Sequence, residues 1–458
     1  MNLKIFEPII RLLPEIEVPT QKPVLKQKLI WTGFALLVFA VMGTIVPIGT
    51  VETQSGFLQQ LQLITASKIG TLATLGIGPV VMGSIILQLL MGAKIINVDI
   101  NNPEQKKLYH GLQKLVSIAF CFFEGGIYVM SGFVPATPGM FNVAFLIAQL
   151  AFGAIILMYL DELVSKYGIG SGIGLFIAAG VSFTIIWQLF AWVAPSGTYV
   201  GLVPQLIQGL MTGNIPETAI FPIVFTVLVF CMCVYAESMK IEIPLTFGRI
   251  RGYGAKYPIK FFYVSNIPVI FAAALLANVQ LFGVALQKIG FPLLGAFGAN
   301  NQPMDGIAYY LRAPHAAFGT PTNIGVTLAS SDILLNILVY AIFMVVLCVV
   351  FGKFWVELSN MGPKAVAGQL QQVGLHVPGF RRDPRVIENV LERYIPMITV
   401  LGSIAVGMLA VFADLTGALG TGTGILLTVG ILYKMYEELA TQQAFEMMPA
   451  LRGLLGEG

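Results

Sequence analysis

Few residues in this 458-residue sequence have the types and spacing that chemistry requires. The glycine-rich stretch 168–174 (GIGSGIG) does not follow the dinucleotide-binding pattern, and no Walker sequence is present, so nucleotide binding is not expected. The four cysteines lie in apolar runs and the three histidines are scattered, without the spacing of metal ligands. The apolar runs also lack paired aspartates, a Ser–His arrangement or a zinc motif, which argues against a membrane-embedded enzyme. We therefore predict no catalytic residue, no metal and no cofactor.

Glu124 is the clearest ionisable residue inside an apolar run. A carboxylate in the middle of a bilayer costs about 2.5–3.5 kcal/mol on insertion scales, so Glu124 should face a cavity or a polar partner. Several such residues would be typical of a secondary transporter, whose substrate site is built from broken helices. Because Glu124 stands almost alone, a transporter remains only the alternative interpretation.

The composition indicates a membrane protein, and the apolar runs are the elements that must position any site. Hydrophobic residues make up 56% of the chain and charged residues only 11%, with a mean hydropathy of +0.82. Soluble domains carry roughly 25% charged residues, and a bilayer core about 30 Å thick needs about 20 apolar residues per helix. Ten transmembrane helices are predicted, at residues 29–48, 71–92, 112–132, 141–160, 169–193, 219–236, 261–283, 333–355, 395–412 and 417–436.

The positions of Lys and Arg predict the orientation. If the N-terminus lies inside, 23 of the 26 Lys and Arg residues fall in segments on the inner side, and only Lys68, Lys288 and Arg312 remain outside. Cytoplasmic connections carry such an excess of positive charge. We predict a multi-pass protein of the cell membrane with both termini in the cytoplasm.

The spans divide the chain into two halves. Residues 1–25 form an N-terminal cytoplasmic segment in which Leu3, Phe6, Ile10 and Leu13 share one face of an amphipathic helix that would lie on the membrane surface. Two halves of five spans each must enter the membrane in opposite senses, which permits an inverted repeat around a central path. The remaining predicted units are the first half 26–193, an external connection 194–217, the second half 218–437 with cytoplasmic loops 237–260 and 356–394, and a C-terminal cytoplasmic tail 438–458.

Two local patterns leave alternatives open. Residues 54–67 are too polar and too few to cross the membrane, since a helix of this length covers only about 20 Å, so they form either a re-entrant piece or a helix on the outer surface. Ile77 and Val81 are four residues apart, as are Ile169 and Ile173, so each pair shares one helical face. The neighbouring glycines suit either a narrow passage or ordinary close helix packing.

Three sequence blocks resemble the SecY family, which forms the pore subunit of the Sec protein translocation channel. They are residues 76–90 (GIGPVVMGSIILQLL), 159–176 (YLDELVSKYGIGSGIGLF) and 257–268 (YPIKFFYVSNIP). The amino-acid sequences of these blocks resemble archaeal members more than bacterial ones. The resemblance runs over nearly the whole chain. It implies an all-α polytopic membrane protein with ten transmembrane helices, arranged as two inverted five-helix halves around a central hourglass pore.

The resemblance also implies functional residues. It implies an apolar pore ring of Ile77, Val81, Ile169, Ile173, Ile267 and Leu427, with Leu426 as a possible substitute for the last. It implies a plug at 54–67 that includes Gln54, Phe57, Leu58, Leu61, Leu63 and Ile64. It implies a lateral gate of the second, third, seventh and eighth spans, with polar gate positions at Glu124, Asn266 and Met82, although methionine replaces the hydroxyl residue that relatives often carry. It implies ribosome docking through Arg249, Arg251, Arg381, Arg382 and Arg385.

The expected partners follow from the same resemblance. They are the SecE and beta (SecG-like) subunits, the ribosome, signal peptides and nascent chains, and membrane lipid. The implied function is a passive protein-conducting channel that translocates secretory polypeptides and releases transmembrane segments sideways into the bilayer, driven by a partner such as the ribosome.

Overall fold

A computed structural model describes most of the chain, namely residues 7–19, 23–50, 70–93, 95–96, 102–192, 199–213, 216–247, 254–298, 301–314, 317–359, 361–372, 375–376 and 384–447. The helices are α1 Glu7–Ile10, α2 Leu25–Met42, α3 Gly78–Gly92, α4 Pro103–Met130, α5 Met140–Tyr167, α6 Gly172–Phe190, α7 Leu202–Thr212, α8 Glu217–Ser238, α9 Ile267–Lys288, α10 Gly306–Tyr310, α11 Pro321–Ala329, α12 Ser331–Leu358, α13 Pro363–Gln372, α14 Pro384–Leu415 and α15 Gly422–Met447. The strands are β1 Lys240–Phe247, β2 Gly254–Lys260 and β3 Leu375–His376.

The predicted spans are found as helices, with shifted ends. Within the described residues, eight helices are long and apolar enough to cross a bilayer, namely α2, α4, α5, α6, α8, α9, α12 and α14. The shorter apolar α3 and the last helix α15 coincide with the two other predicted spans. Four predicted starts were too early, because residues 71–77, 169–171, 261–266 and 417–421 are not helical. At two of them a proline in the first turn of the helix, Pro79 or Pro268, favours the later start.

The two halves of the chain contact each other along two seams. On one side, α6 of the first half packs against α15 of the second. On the other side, α3 and α4 of the first half contact α9, and α3 also contacts α12. The first seam is reinforced at the turn before α15, where the Gly420 N–H donates to Gln188 Oε1 of α6 (3.1 Å). Within the second half, the same turn is held to α8 by the Leu419 N–H, which donates to Thr226 Oγ1 (2.9 Å). Any path between the halves is therefore bounded by α3, α6, α9 and α15.

A buried carboxylate joins three helices of the second half. Asp414, which is 1% exposed, accepts hydrogen bonds from the Tyr340 hydroxyl (2.9 Å) and from both the N–H (2.9 Å) and the hydroxyl (2.7 Å) of Thr423. These three donors come from α12 and from the first turn of α15. Because a buried charge is stable only when hydrogen-bonded, this network fixes the start of α15 relative to its neighbours.

The N-terminal segment differs from the predicted surface helix. Its described part is helical for one turn only, and residues 14–19 are irregular. Lys114 Nζ donates to the Pro14 carbonyl (2.6 Å) and the Tyr167 hydroxyl donates to the Glu17 carbonyl (3.0 Å). The segment is thus held against α4 and α5 by hydrogen bonds to its backbone, and its helix stops before Pro14, as proline requires.

The all-helical prediction is confirmed for the membrane-crossing part, but it did not include a small sheet. The sheet is antiparallel with the order β2-β1-β3. Strands β1 and β2 form a hairpin from the connection between α8 and α9, and β3 comes from the connection between α13 and α14. The two predicted cytoplasmic loops therefore meet in one sheet.

Candidate pore constriction and gate

The predicted ring residues lie where the two halves meet. Ile77, Val81 and Leu427 are each at most 2% exposed and belong to one apolar cluster, and Ile173 and Ile267 pack against the same cluster. These side chains come from α3, α6, α9 and α15, the helices that flank the contact between the halves. Leu426, the possible substitute for Leu427, is also buried in this cluster. Five of the six predicted ring residues thus lie in or against the same extended apolar cluster.

Ile169, the sixth ring residue, lies just before α6 and is buried at 2% exposure. Its N–H donates to the Thr32 hydroxyl of α2 (3.1 Å). The next residue, Gly170, donates its N–H to a carboxylate oxygen of Glu438 in α15 (3.1 Å). The approach to α6 is therefore fixed from both halves of the chain.

Asp161 holds the start of α6, and sequence reasoning did not identify it as a site residue. Its Oδ1 accepts a hydrogen bond from the N–H of Ile173 (2.8 Å), one of the four N–H groups that a helix start leaves without a partner. Ser171, the N-cap residue, accepts the N–H of Gly174 in the same turn (3.2 Å). An aspartate is favourable here because the N-terminus of a helix carries partial positive charge. Its place eleven residues before the glycine-rich start of α6 gave no local signal of this contact.

Left-handed residues precede the helices that carry the ring. Gly76 (φ 55°) comes before Ile77, Gly170 (φ 70°) before α6, Ser265 (φ 57°) before α9 and Thr421 (φ 63°) before α15. Such a conformation turns the chain sharply and favours glycine, so at Ser265 and Thr421 the backbone is strained. Each ring-bearing helix therefore starts abruptly beside the contact between the halves.

Asn266 connects α9 to the last helix. It is 3% exposed, and its Nδ2 donates to the Leu426 carbonyl (3.2 Å). The close approach requires Gly430, since a Cβ there would lie 1.7 Å from Asn266 Nδ2 and 2.6 Å from Glu237 Oε1. The Oε1 atom of Glu237 is buried without a hydrogen-bond partner in the described part of the chain. The predicted gate residue Asn266 thus also fixes the ring residue next to it, Ile267, against α15.

The other two predicted gate residues occupy separate apolar surroundings. Met82 of α3 is buried in the cluster that contains the ring. Glu124 of α4 is 3% exposed, and its Oε1 has no hydrogen-bond partner among the described residues. On α4, Cys121 and Tyr128 flank Glu124 and belong to a second apolar cluster, which reaches α9. The buried carboxylate therefore lies beside the seam between α4 and α9.

The seam between the predicted gate helices is largely apolar. The second cluster joins Cys121 and Tyr128 of α4 to residues of α9, namely Ala277, Leu281 and Val284. The rings of Phe123 and Phe282 lie 6.0 Å apart across the same pair of helices. At α3 and α12, a Cβ on Gly92 would lie 2.3 Å from Phe354 Cζ, so these helices touch closely. Among the described residues the seam is held mainly by packing, with one hydrogen bond from Lys288 Nζ of α9 to the Ser131 carbonyl at the end of α4 and no ion pair between the predicted gate helices.

The predicted docking residues belong to the two connections that supply the strands of the sheet. Arg249 and Arg251 belong to the connection between β1 and β2, and Arg381 and Arg382 follow β3; all four lie outside the described residues, as does the whole predicted plug, 54–67. Arg385, at the start of α14, is exposed.

The base of the hairpin is ion-paired to α15. Glu437 lies 3.5 Å from Lys240 Nζ and pairs also with Lys260, so one carboxylate binds both strands.

The fold and the site define a class: a multi-pass helical membrane protein whose two halves close on an apolar constriction. The chain belongs to the SecY family, whose profile it matches over residues 71–436. Protein translocase subunit SecY of Methanocaldococcus jannaschii is 49% identical over 453 residues, which cover 98% of this chain and 99% of that protein. The predicted family is confirmed.

Solved structures show the same fold. One is a SecY protein whose plug domain stabilises the closed state of the translocation channel and maintains a membrane seal; it is 45% identical, with a TM-score of 0.84 over 97% of this chain and 98% of that one. Another is Sec61 in the canine ribosome–channel complex from the endoplasmic reticulum, at 45% identity and a TM-score of 0.82 over the same shares of the two chains.

Proposed function

We propose that this protein is the pore-forming subunit of a protein-conducting channel. Secretory polypeptides cross the membrane between its two halves, and transmembrane segments leave sideways into lipid. The observation that carries the proposal is the single apolar cluster where the halves meet, which contains Ile77, Val81 and Leu427 and is contacted by Ile173 and Ile267. The channel is passive: it needs no cofactor of its own and is driven by a partner.

An apolar ring suits this task physically. Aliphatic side chains give ions no coordinating oxygen, and a narrow apolar constriction excludes water, so the closed ring blocks ions. The same side chains pack around an extended polypeptide without specific hydrogen bonds, so the ring accepts many sequences. Ile169 belongs to this ring in the proposal, immediately before α6.

We assign the lateral gate to the seam of α3 and α4 against α9 and α12. A ten-residue apolar segment gains roughly 3–6 kcal/mol in the bilayer, at about 0.3–0.6 kcal/mol per residue. Because the seam is held by packing, it opens at modest cost, and partitioning decides whether a segment enters lipid. Asn266 and Glu124 set the polarity of the gate. Met82, which follows the ring residue Val81 in the chain, is the third gate position.

The plug and the partners complete the proposal. Residues 54–67, with Gln54, Phe57, Leu58, Leu61, Leu63 and Ile64, fill the outer side of the ring when no substrate is present, as the plug domain seals the related SecY protein. SecE and a beta (SecG-like) subunit bind the apolar outer faces of the helices. The protein lies in the cell membrane with cytoplasmic termini, the connection 194–217 joins the halves as a hinge, and segments 1–25 and 438–458 remain in the cytoplasm.

The ribosome is the proposed driving partner. The sheet β2-β1-β3 gathers both arginine-bearing loops, and guanidinium groups bind RNA phosphates well. The related Sec61 protein forms a complex with the ribosome. Glu437 holds both strands of the hairpin to α15, so a ribosome on the hairpin is connected to a helix that carries a ring residue.

Crosslinking tests the path directly. A photoreactive residue replaces Ile77 or Ile173 in the complex with SecE, and a ribosome-bound nascent chain of defined length is added. Both positions should crosslink to the chain, because they line the path. Phe183 of α6, which is 66% exposed on the outside of the bundle, is the matched control and should not. Equal crosslinking at Phe183 and Ile173 would contradict the proposed path.

Conductance tests the ring independently. Replacing Ile77 and Ile173 together by Gly removes two aliphatic side chains from the constriction. Resting channels in planar bilayers should then leak ions, because the remaining ring no longer excludes water. A resting conductance equal to that of the wild type would show that these residues do not form the seal.

A further inference from the structure

A cavity of about 320 Å³ lies on the side of the protein that the charge distribution assigns to the outside. It is formed between α10, α11 and the start of α12. Its polar lining comes from Tyr309, Arg312, Asn323, Thr327 and Asn336. It shares the start of α12 with the proposed gate, but none of its lining residues is a predicted ring or gate residue, and the proposed channel function does not use it.

Among the described residues, Arg312 is the only charged one that lines this cavity. It is partly buried, and burial lowers the pKa of its guanidinium below the usual value, although arginine stays protonated. No carboxylate of the described residues lies within ion-pair distance of it. Its nearest side-chain acceptor is Gln302 Oε1, at the limiting distance of 3.5 Å. The cavity thus contains a positive charge that the described part of the chain does not neutralise.

The walls of the cavity are fixed by buried hydrogen bonds. Asn336, which is 6% exposed, donates its Nδ2 to the Tyr309 carbonyl (2.6 Å) and so joins α12 to α10. The Thr327 hydroxyl of α11 donates to the Ala317 carbonyl (2.8 Å). Because these bonds hold three segments around the cavity, Arg312 faces a preformed space and needs little rearrangement to bind a ligand.

The surroundings of the cavity are apolar and exposed. In α11, Val326 and Leu328 are 61% and 62% exposed, and Ile324 is exposed beside them. Ile307 of α10 and Met304 just before it are also exposed, at 57% and 71%. Short helices with exposed aliphatic side chains next to a membrane span are typical of segments that lie in the bilayer interface. The cavity therefore opens at the depth where lipid headgroups lie.

We propose that this cavity binds the phosphate headgroup of a lipid in the outer leaflet, with Arg312 as its cationic ligand. The planar guanidinium can donate two parallel hydrogen bonds to phosphate oxygens, a geometry that a lysine ammonium cannot reproduce. The lipid chains lie along the exposed aliphatic side chains of α11. The proposal depends on the orientation inferred from Lys and Arg, and it is independent of the channel path.

Native mass spectrometry of the complex with SecE tests the proposal. The probe is an anionic phospholipid, compared with a phosphate-free glycolipid of the same chains and with inorganic phosphate. Wild type should retain the phospholipid, and Arg312→Gln should weaken its retention by about tenfold or more, as expected for a charge-assisted bidentate contact. Arg312→Lys should give an intermediate value. Lys288→Gln, which removes another outer cation outside the cavity, is the matched control and should retain the lipid as the wild type does.

Ala313→Leu is a second variant that fills the cavity from its lining and keeps the guanidinium. It should also lose the lipid, and thermal unfolding of each variant shows that the loss is not a loss of fold. If Arg312→Gln or Ala313→Leu retained the phospholipid as well as the wild type does, the proposal would be overturned. Inorganic phosphate that binds as tightly as the phospholipid, or a glycolipid retained equally well, would overturn the assignment to a lipid phosphate.

Discussion

Gly92 gives the sharpest test of the lateral gate, because it lies where α3 and α12 touch. A Cβ at this position would lie 2.3 Å from Phe354 Cζ and 2.4 Å from its Cε1, whereas carbon atoms in contact are about 3.5–4.0 Å apart. Gly92→Ala therefore forces the phenyl ring of Phe354 to move away by about 1 Å. Because the Phe354 side chain can rotate away, the free-energy cost to the closed seam is at the low end of the range for overpacking, about 1 kcal/mol.

This free-energy cost destabilises the closed seam, where Gly92 contacts Phe354, and does not affect the open one. A loss of about 1 kcal/mol changes the ratio of open to closed gates by roughly fivefold. Since each leucine contributes about 0.3–0.6 kcal/mol to partitioning, the gate should accept signal segments with about two to three fewer leucines. The assay measures translocation of a reporter protein fused to signal segments in which the number of leucines, in an alanine background, increases step by step. The threshold is the number of leucines at which translocation reaches half of its maximum.

Gly126→Ala is the matched control, because Gly126 lies in the gate helix α4 and its added Cβ would meet nothing within 4 Å. Gly126 is inside α4 and Gly92 is the last residue of α3, so the gain in helix propensity, at most about 1 kcal/mol, is at least as large in the control. The contact with Phe354 is made only in Gly92→Ala. The Gly92→Ala threshold should fall while the Gly126→Ala threshold stays at the wild-type value. Identical thresholds for the two variants would refute the reasoning that the contact between α3 and α12 holds the gate closed.

Three further results are expected. Tyr340→Phe should lower the midpoint of thermal unfolding, since a hydrogen bond to a buried carboxylate contributes about 1.5–3 kcal/mol, and the effect should largely vanish in an Asp414→Ala background; full additivity would contradict the network. Arg249→Glu combined with Arg382→Glu should lose ribosomes in co-sedimentation at moderate salt, and undiminished binding would leave these arginines only a role in topology. Ser265→Gly should raise the unfolding midpoint, because the left-handed backbone at φ 57° costs a residue with a side chain about 1 kcal/mol; a lower midpoint would show that the hydroxyl stabilises the turn.

The spans could be predicted, and ring residues proposed, because their signals are local. Hydropathy locates each helix from about 20 consecutive residues, and the blocks around Ile77 and Ile173 resemble family signatures in order along the chain. The ends were less well predicted, because an apolar residue in a turn, such as Leu75 or Phe262, contributes to the same hydropathy as one in a helix.

Contacts between distant residues could not be predicted in this way. The bond from Ile173 to Asp161 depends on how α5 and α6 pack, and the sheet depends on two residues of β3 meeting β1 across more than a hundred positions. The cavity beside Arg312 was equally hidden, since the sequence marks Arg312 only as one of the few outer cations. Local pattern specifies elements; the partners of a side chain are set by the packing of those elements.

The proposed ring lies where helices begin, an arrangement that suits a tight constriction that must widen. Ile77 is the N-cap residue of α3, Ile173 is in the first turn of α6 and Ile267 is the first residue of α9. A helix interior resists bending because its hydrogen bonds are continuous, whereas the residue before a helix can change its backbone angles at the cost of few bonds. The left-handed residues that precede these helices, Gly76 and Ser265 among them, lie at that position. A passing polypeptide can therefore displace the ring side chains by moving whole helices about their starts, and the packed clusters on either side restore the closed ring when it leaves.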